Sequence, residues 1–271
     1  MPNAAPKRIL MCPPDFFGVA YVINPWMTGQ TARTDAEVAT RQWTQLKETI
    51  ERHASVSLLP AREGLPDLVF TANAGLVKGP KVLLSRFRCP ERQGEQAIDR
   101  AWFVQNGFTP IEPPPGAFFE GAGDALYDPS RDFYWVGHGF RSDRDFAPLL
   151  EAALDARAVE LTLVDPRFYH LDTCLCPLPD GFVMYFPGAF DAPSREKIAA
   201  RVPESRRIAV DEDDALKFCC NAVSLQHLAI LNDASDALQR RLREAGLTPV
   251  PTPLSEFLKA GGAAKCLTLD L

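Results

Sequence analysis

Four octapeptides along this chain echo one another: 70-FTANAGLV-77, 119-FEGAGDAL-126, 169-YHLDTCLC-176 and 218-FCCNAVSL-225. Each carries a polar residue just ahead of a small or apolar run. These residues are Asn73, Asp124, Asp172 and Asn221, spaced by 51, 48 and 49 positions. A further 45 positions lead to Cys266, near the chain end. A period near fifty residues is the signature of a ring or array built from one supersecondary unit. Polar groups that recur in otherwise apolar strands point to a reactive site at the centre of the ring.

Every unit reads alike. A second apolar strand follows each motif at 82-VLL-84, 133-FYWV-136, 182-FVMYF-186 and 228-LAIL-231. Helical spacing then predicts helices over 35–53, 91–106, 143–157, 194–201 and 234–245. In the first, Val38, Ala39, Trp43, Leu46 and Ile50 share one face, and Thr34 with Glu37 forms a capping box. Gly107 and Gly246 stand where a left-handed C-cap is preferred. Short strands at 56–60, 109–113, 159–164, 207–210 and 247–250 link one unit to the next. There are five helices and five linking strands but four complete strand pairs. The missing pair forms if 264-AKCLTLDL-271 lies beside 8-RILMC-12, which closes the ring without an open sheet edge. Cys266 then occupies the fifth unit, in register with the four polar residues. The expected fold is an α/β five-bladed propeller of pseudo-fivefold ββαβ repeats, with residues 1–271 as a single domain.

Bulk properties agree. No Gly/Ser linker or charge block divides the 271 residues, and the Pro-rich 109–116 reads as a connection between units. No apolar run is long enough to span a membrane, and the N-terminal residues lack a signal-peptide pattern. Seven cysteines without disulfide spacing point to a reducing, cytoplasmic setting. A formal charge of −6 argues against nucleic acid as a partner. The four histidines, His53, His138, His170 and His227, form no ligand cluster. Cys174-x-Cys176 and Cys219–Cys220 are too closely spaced for a zinc knuckle, and no Gly-rich phosphate loop follows a strand. Neither a metal nor an organic cofactor is expected. A small-molecule substrate is, and a homo-oligomer stays open.

A Cys/His/acid set remains. Cys266, beside Gly261–Gly262, is the candidate nucleophile, and it needs a partner that favours thiolate and an acid/base for the leaving group. His170 has the right intrinsic pKa for the second task. Glu120, one repeat earlier, can orient His170 or bind a cation. Asp172, two residues beyond His170, should face the same way on a strand. Asp124 and Asn221 are expected to bond backbone where units meet. A histidine and two carboxylates facing a thiol suit a planar cation, and guanidinium fits best because carboxylates grip it bidentately. Taken singly, Cys266 reads as a small buried core residue and His170 as a structural one. Equivalent positions in a ring bring them together.

The combination PDLVFTAN, FEGAGD, HLDT and GGAAKCLTLDL resembles the guanidino-group modifying enzymes of the pentein superfamily across essentially the whole chain. These include arginine deiminases, dimethylarginine dimethylaminohydrolases, arginine dihydrolases and amidinotransferases. The resemblance implies a five-bladed propeller with Cys266 as nucleophile, His170 as acid/base, and Glu120 and Asp172 as guanidinium-binding acids. It also implies that Asp67 meets the substrate near its α-amino group and that Arg92 and Arg141 hold its carboxylate. Two departures stand out. The usual guanidinium-binding aspartate is Asn73 here, and FEGAGD has one residue more than the common EGGD, so Glu120 rather than Asp124 as the acid is an alignment choice. Asn73 and the opening 11-MCPPDFFGVAYVINPWM-27 are most similar to arginine dihydrolases, which give ornithine, carbon dioxide and ammonia; Asn24 would be a further substrate contact. Dimethylarginine hydrolase, deiminase and amidinotransferase are the rival activities, and a non-enzymatic pentein-like binding protein is the rival class. The segment 13–32, with Gly18 and Gly29 as hinges, reads as a lid or as a plain surface loop.

Overall fold

The computed structural model describes residues 7–271. Strand β1 (Arg8–Met11) leads through a long connection to helix α1 (Ala36–Glu51) and β2 (Ser55–Leu58). Four units follow in the same order. They are β3 (Gly75–Lys78), β4 (Lys81–Leu84), α2 (Glu95–Gln105) and β5 (Thr109–Ile111), then β6 (Ala125–Asp128), β7 (Phe133–His138), α3 (Phe146–Leu154) and β8 (Ala158–Thr162). Next come β9 (Leu175–Pro177), β10 (Val183–Tyr185), α4 (Ala192–Arg201), β11 (Arg207–Ala209) and a short α5 (Glu212–Leu216). The last are β12 (Val223–Leu225), β13 (Leu228–Leu231), α6 (Asp236–Glu244), β14 (Thr248–Pro251), a short α7 (Ser255–Leu258) and β15 (Leu269–Asp270).

The strands form five three-stranded sheets: β15-β1-β2, β3-β4-β5, β6-β7-β8, β9-β10-β11 and β12-β13-β14. In each sheet the first pair is antiparallel and the second parallel, as a hairpin followed by a helical crossover requires. The chain ends share a sheet as expected, with Ile9 opposite Asp270 and Leu10 opposite Leu269. Every central strand is therefore flanked on both sides. The middle strands are accordingly apolar; all six residues of β7 are buried.

Helix α1 buries Ala39, Trp43, Leu46 and Ile50, while Val38 is only half-buried at the edge of that stripe. Its cap differs from the expected Thr34 box. Asp35 accepts from the backbone N–H of Glu37 and Val38, and its own N–H donates to Glu256 Oε2 at 2.8 Å. A remote carboxylate thus does what Glu37 would have done locally. Helix α2 starts at Glu95 because Pro90–Arg92 forms a separate 3-10 turn. Helix α3 is shorter than its apolar pattern, bounded by Asp145 and Asp155, both in the left-handed region. Gly107 and Gly246, at φ +85° and +81°, end α2 and α6 as the sequence indicates. No helix of the described residues is long and apolar enough to cross a membrane.

Candidate active site

The polar residues of the motifs do not lie on strands, and Cys266 sits in a turn ahead of β15 rather than on it. In three units they form 3-10 turns just before the inner strand: Thr71–Ala74, Gly121–Gly123 and Leu171–Thr173. His170 is extended and Asp172 sits inside a turn, so strand alternation is not what aims them. The turn is fixed instead by its own bonds, including Thr173 Oγ1 donating to the His170 carbonyl at 2.6 Å. Two glycines let neighbouring turns touch. A Cβ on Gly121, at φ +65°, would meet the Ala72 carbonyl at 2.9 Å, and one on Gly123 would lie 2.4 Å from Asn73 Nδ2.

The recurring polar side chains tie each unit to the next. Asn73 Nδ2 donates to the Glu120 carbonyl at 2.9 Å, and Asp124 Oδ1 accepts from Leu171 N–H at 3.1 Å. Asn221 Nδ2 donates to the Asp172 carbonyl at 3.0 Å, and its Oδ1 accepts from Cys266 N–H at 3.1 Å. The Ala72 N–H donates to the Cys266 carbonyl at 3.1 Å, returning the series to its start. These polar groups are tolerated in the interior because every link satisfies a buried backbone group. The expectation that Asp124 and Asn221 bond backbone at unit junctions holds.

The same series delivers the reactive side chains to one place. Cys266, His170, Asn73, Asp67, Asn24, Arg92 and Arg141 all line a single narrow cavity. Its free volume is about 10 Å³, room for about one water. Glu120 and Asp172, the remaining two of the nine residues singled out by sequence, lie immediately behind its wall. Asp172 Oδ2 accepts from Cys266 Sγ at 3.3 Å, and Glu120 Oε2 lies 3.2 Å from His170 Nε2, an ion-pair contact rather than an aligned hydrogen bond. Arg92 and Arg141 occupy loops after the middle strands of their units, β4 and β7, and reach the cavity from adjacent units.

Segment 13–32 closes over this cavity. Tyr21 Oη donates to Asp67 Oδ2 at 2.9 Å, Asn24 Nδ2 to the Ala260 carbonyl at 3.0 Å, and Trp26 Nε1 to the Arg167 carbonyl at 2.7 Å. Arg141 Nη2 donates to the Ile23 carbonyl at 2.9 Å. Asn24 also caps the 3-10 turn Pro25–Met27 through its Oδ1, so it is both a turn residue and a wall of the cavity.

Electrostatics divide the site into two halves. Burial opposes a charge on His170, but Asp124 at Nδ1 (3.1 Å) and then Glu120 outweigh it and raise His170 to about 9. The imidazolium is the favoured form at neutral pH. Burial likewise opposes ionised Glu120, yet Arg141 at 3.1 Å and His170 hold its carboxyl well below the usual range. Around the sulfur the balance reverses. Burial and the facing Asp172 push the Cys266 thiol well up, and burial raises Asp172 to about 6. Arg92 is engaged by Glu95 through Nε at 2.9 Å and Nη2 at 2.7 Å, and by Asn73 Oδ1 through Nη1 at 2.9 Å. Burial raises Asp67, which keeps one carboxylate oxygen without a hydrogen-bond partner among the described residues.

Three contributors, Ser142, Tyr169 and Tyr21, escaped the sequence reading, and Asp124 does more than it was given. Asp124 and Ser142 form a chain behind His170, with Ser142 Oγ donating to Asp124 Oδ2 at 2.6 Å. The three-residue turn in FEGAGD lets Glu120 and Asp124 both reach the imidazole, so the choice between them is not exclusive. Tyr169 lines the cavity beneath Arg141, whose guanidinium carbon lies 4.7 Å from the ring centroid. Tyr21 carries no periodic signal at all. A larger cavity of about 510 Å³ lies further along the inner strands, lined by residues such as Leu76, Ala125, Leu175, Val223 and Leu269. It is mainly apolar and contains none of the nine predicted site residues.

Comparison with known proteins gives the family and agrees with the fold. The family described as N,N dimethylarginine dimethylhydrolase, eukaryotic, matches residues 24–271. The bifunctional arginine dihydrolase/ornithine cyclodeaminase ArgZ of Synechocystis sp. is 53% identical over 97% of this chain, which spans 37% of that relative. The N(G),N(G)-dimethylarginine dimethylaminohydrolase of Mycobacterium tuberculosis is 42% identical, covering 98% of this chain and 86% of the relative. Among solved structures, the N-terminal domain of ArgZ bound to substrate superposes with a TM-score of 0.96 at 53% identity, covering 97% of each chain. A dimethylarginine dimethylaminohydrolase adduct with S-methyl-L-thiocitrulline shares the fold at 19% identity and a TM-score of 0.82, over 98% of this chain and 100% of the other. The chain belongs to the dimethylarginine dimethylaminohydrolase family of guanidino-group modifying penteins.

Proposed function

We propose that this chain hydrolyses the guanidino group of L-arginine to ornithine, carbon dioxide and two molecules of ammonia. The observation that carries the reading is the convergence of Cys266, His170 and Asn73 on one narrow cavity. Its likeness to an arginine dihydrolase domain supports the same choice. Asp67 and Asn24 would receive the substrate's α-ammonium end, and Arg92 and Arg141 its carboxylate, while Glu120 and Asp172 face the guanidinium.

The Cys266 thiol passes its proton to a carboxylate as the cation enters, and the cationic substrate stabilises the thiolate. The sulfur adds to the guanidinium carbon, and the His170 imidazolium protonates the departing ammonia. Water deprotonated by His170 then attacks the amidino-thioester, and loss of thiolate leaves a ureido group. A second addition of thiolate expels the second ammonia and forms a thiocarbamate. Hydrolysis of this ester releases ornithine carbamate, which decomposes to ornithine and carbon dioxide. Retaining the ureido intermediate requires a closed site, and the strap of residues 13–32 supplies the closure.

A second reading, hydrolysis of N-methylated arginines, is favoured by the 42% identical relative. One experiment separates the readings. The purified chain is incubated with arginine, dimethylarginine, and arginine plus a primary amine acceptor, and products are identified by mass. Ornithine from arginine, absent with Cys266→Ala, is the expected result. Citrulline alone, a transferred amidino group, or turnover restricted to methylated substrates would replace the proposal with a rival. A chain inert to all of them would favour a binding protein.

A further inference from the structure

Asn221 holds more than the junction between two units. Its side chain is fully buried, and its Oδ1 accepts from two backbone donors, Cys266 N–H at 3.1 Å and Ala263 N–H at 3.2 Å. Those two donors fix which end of the amide is oxygen, so Nδ2 must face the other way. There it donates to the Asp172 carbonyl and to Cys266 Sγ, each at 3.0 Å, which uses both of its hydrogens. Among the described residues no other side chain donates to this sulfur.

We propose that Asn221 is a catalytic residue of the reaction read above, donating the hydrogen bond that stabilises Cys266 as thiolate. The proposal rests on Cys266 being the nucleophile. A thiol sulfur is a weak acceptor and a thiolate a strong one, so an N–H aimed at it favours the charged form selectively. Asp172 acts in the opposite sense, because its Oδ2 accepts from the S–H and its charge repels thiolate. When a guanidinium takes over Asp172, the Asn221 donor remains on the sulfur. The same amide clamps the turn from Ala263 to Cys266, so the sulfur is aimed and charged by one group.

The test reads the sulfur directly and does not need the substrate. Alkylation of Cys266 by iodoacetamide is followed by mass spectrometry of its peptide across pH, in wild type and in Asn221→Asp. Aspartate keeps an oxygen for both backbone donors, removes the N–H from the sulfur and turns a carboxylate oxygen toward Sγ and the Asp172 carbonyl. The other charged or titratable groups are unchanged: Asp172 on Sγ, His170, Tyr169 and Arg141 along the same cavity, and Lys265, whose charge acts on Asp172. Alkylation at pH 8 should slow at least tenfold in the variant, its midpoint should rise by about one unit or more, and Tm should fall by about the same amount as in Asn73→Asp, where a carboxylate oxygen likewise meets a buried carbonyl. A folded variant with the wild-type profile would overturn the proposal and leave Asn221 a purely structural clamp. Because the added charge alone would also disfavour thiolate, wild-type protein labelled with 15N-asparagine separates the two effects, and it serves equally should Asn221→Asp not fold. The Asn221 side-chain amide signal should move with the same midpoint as Cys266 alkylation, and a signal flat through that midpoint would equally refute the role. Loss of arginine turnover in wild type would count against the proposed function, not against this contact.

Discussion

His170 Nδ1 lies 3.1 Å from Asp124 Oδ2, and this pair sets the charge of the imidazole that faces the thiol. Asp124 is in turn fixed by Leu171 N–H on Oδ1 and by Ser142 Oγ on Oδ2. Substituting Asp124→Asn keeps the oxygen for Leu171 but removes the charge. His170 should then fall from about 9 toward the ordinary histidine range by at least about one unit, equivalent to about 1.4 kcal/mol. The alkaline limb of kcat/KM should move down with it, and kcat should drop by about ten- to a hundredfold. Steady-state pH profiles of the two proteins check both outcomes.

The same ionisation predicts how stability depends on pH. His170 at about 9 binds its proton more tightly in the folded chain than in the unfolded one, where about 6.5 is normal. Its contribution is complete below about pH 6.5 and is lost as pH rises through about 9. Wild-type Tm should therefore decline between those values, and His170→Asn should flatten the decline. Glu120 works the other way at low pH: its depressed carboxyl stabilises the fold above the usual glutamate range and loses that contribution on acidification. Thermal melts across pH distinguish the two groups by window.

Much of this architecture could be read from residue types alone, because the fold repeats. The fifty-residue period carries both the ring and the register that places Cys266 with Asn73, Asp124, Asp172 and Asn221. What the period does not carry is the local backbone. A polar residue before an apolar run looks the same whether it opens a strand or sits in a 3-10 turn, and only bonds the period does not reveal decide, such as Leu171 N–H to Asp124 Oδ1 from the preceding unit. The N-cap of α1 shifted from Thr34 to Asp35 for a similar reason, since Glu256 lies 221 positions away. Asp124 was visible, but backbone bonding and the role of acid were set against each other as alternatives. Its second oxygen serves the imidazole, and a periodic signal cannot apportion two oxygens. Tyr21 was invisible because it enters the site through one contact, to Asp67, with no repeat partner, and Tyr169 because its repeat partners Phe70, Phe119 and Phe218 make its position read as apolar core.

Asn73 is the departure that most bears on product. Its amide is used at both ends, Oδ1 by Arg92 and Nδ2 by the Glu120 carbonyl. In Asn73→Asp a carboxylate oxygen would oppose that carbonyl, leaving two buried acceptors face to face at a cost of about 1–3 kcal/mol. The added charge would also favour the guanidinium over the neutral ureido group that must react next. Arginine consumption by this variant should yield citrulline in place of ornithine, or cease. Unchanged ornithine yield, measured by mass, would remove Asn73 from the account of product choice.

The strap of residues 13–32 governs whether a ureido intermediate stays long enough to react again. Trp26 anchors its middle, through Nε1 to the Arg167 carbonyl and through an edge-on contact with Phe218 at 4.7 Å between centroids. Neither partner belongs to the cavity wall, so Trp26→Ala loosens the strap without altering the residues that face substrate. The loss of one hydrogen bond and one aromatic contact should total about 1–3 kcal/mol, felt by the closed state more than by the ring of sheets. KM for arginine should rise by about tenfold, the citrulline-to-ornithine ratio should increase, and amide exchange should quicken in 13–32 alone. Exchange that quickens while the product ratio holds would mean that closure is a matter of affinity and that retention of the intermediate resides in the cavity itself.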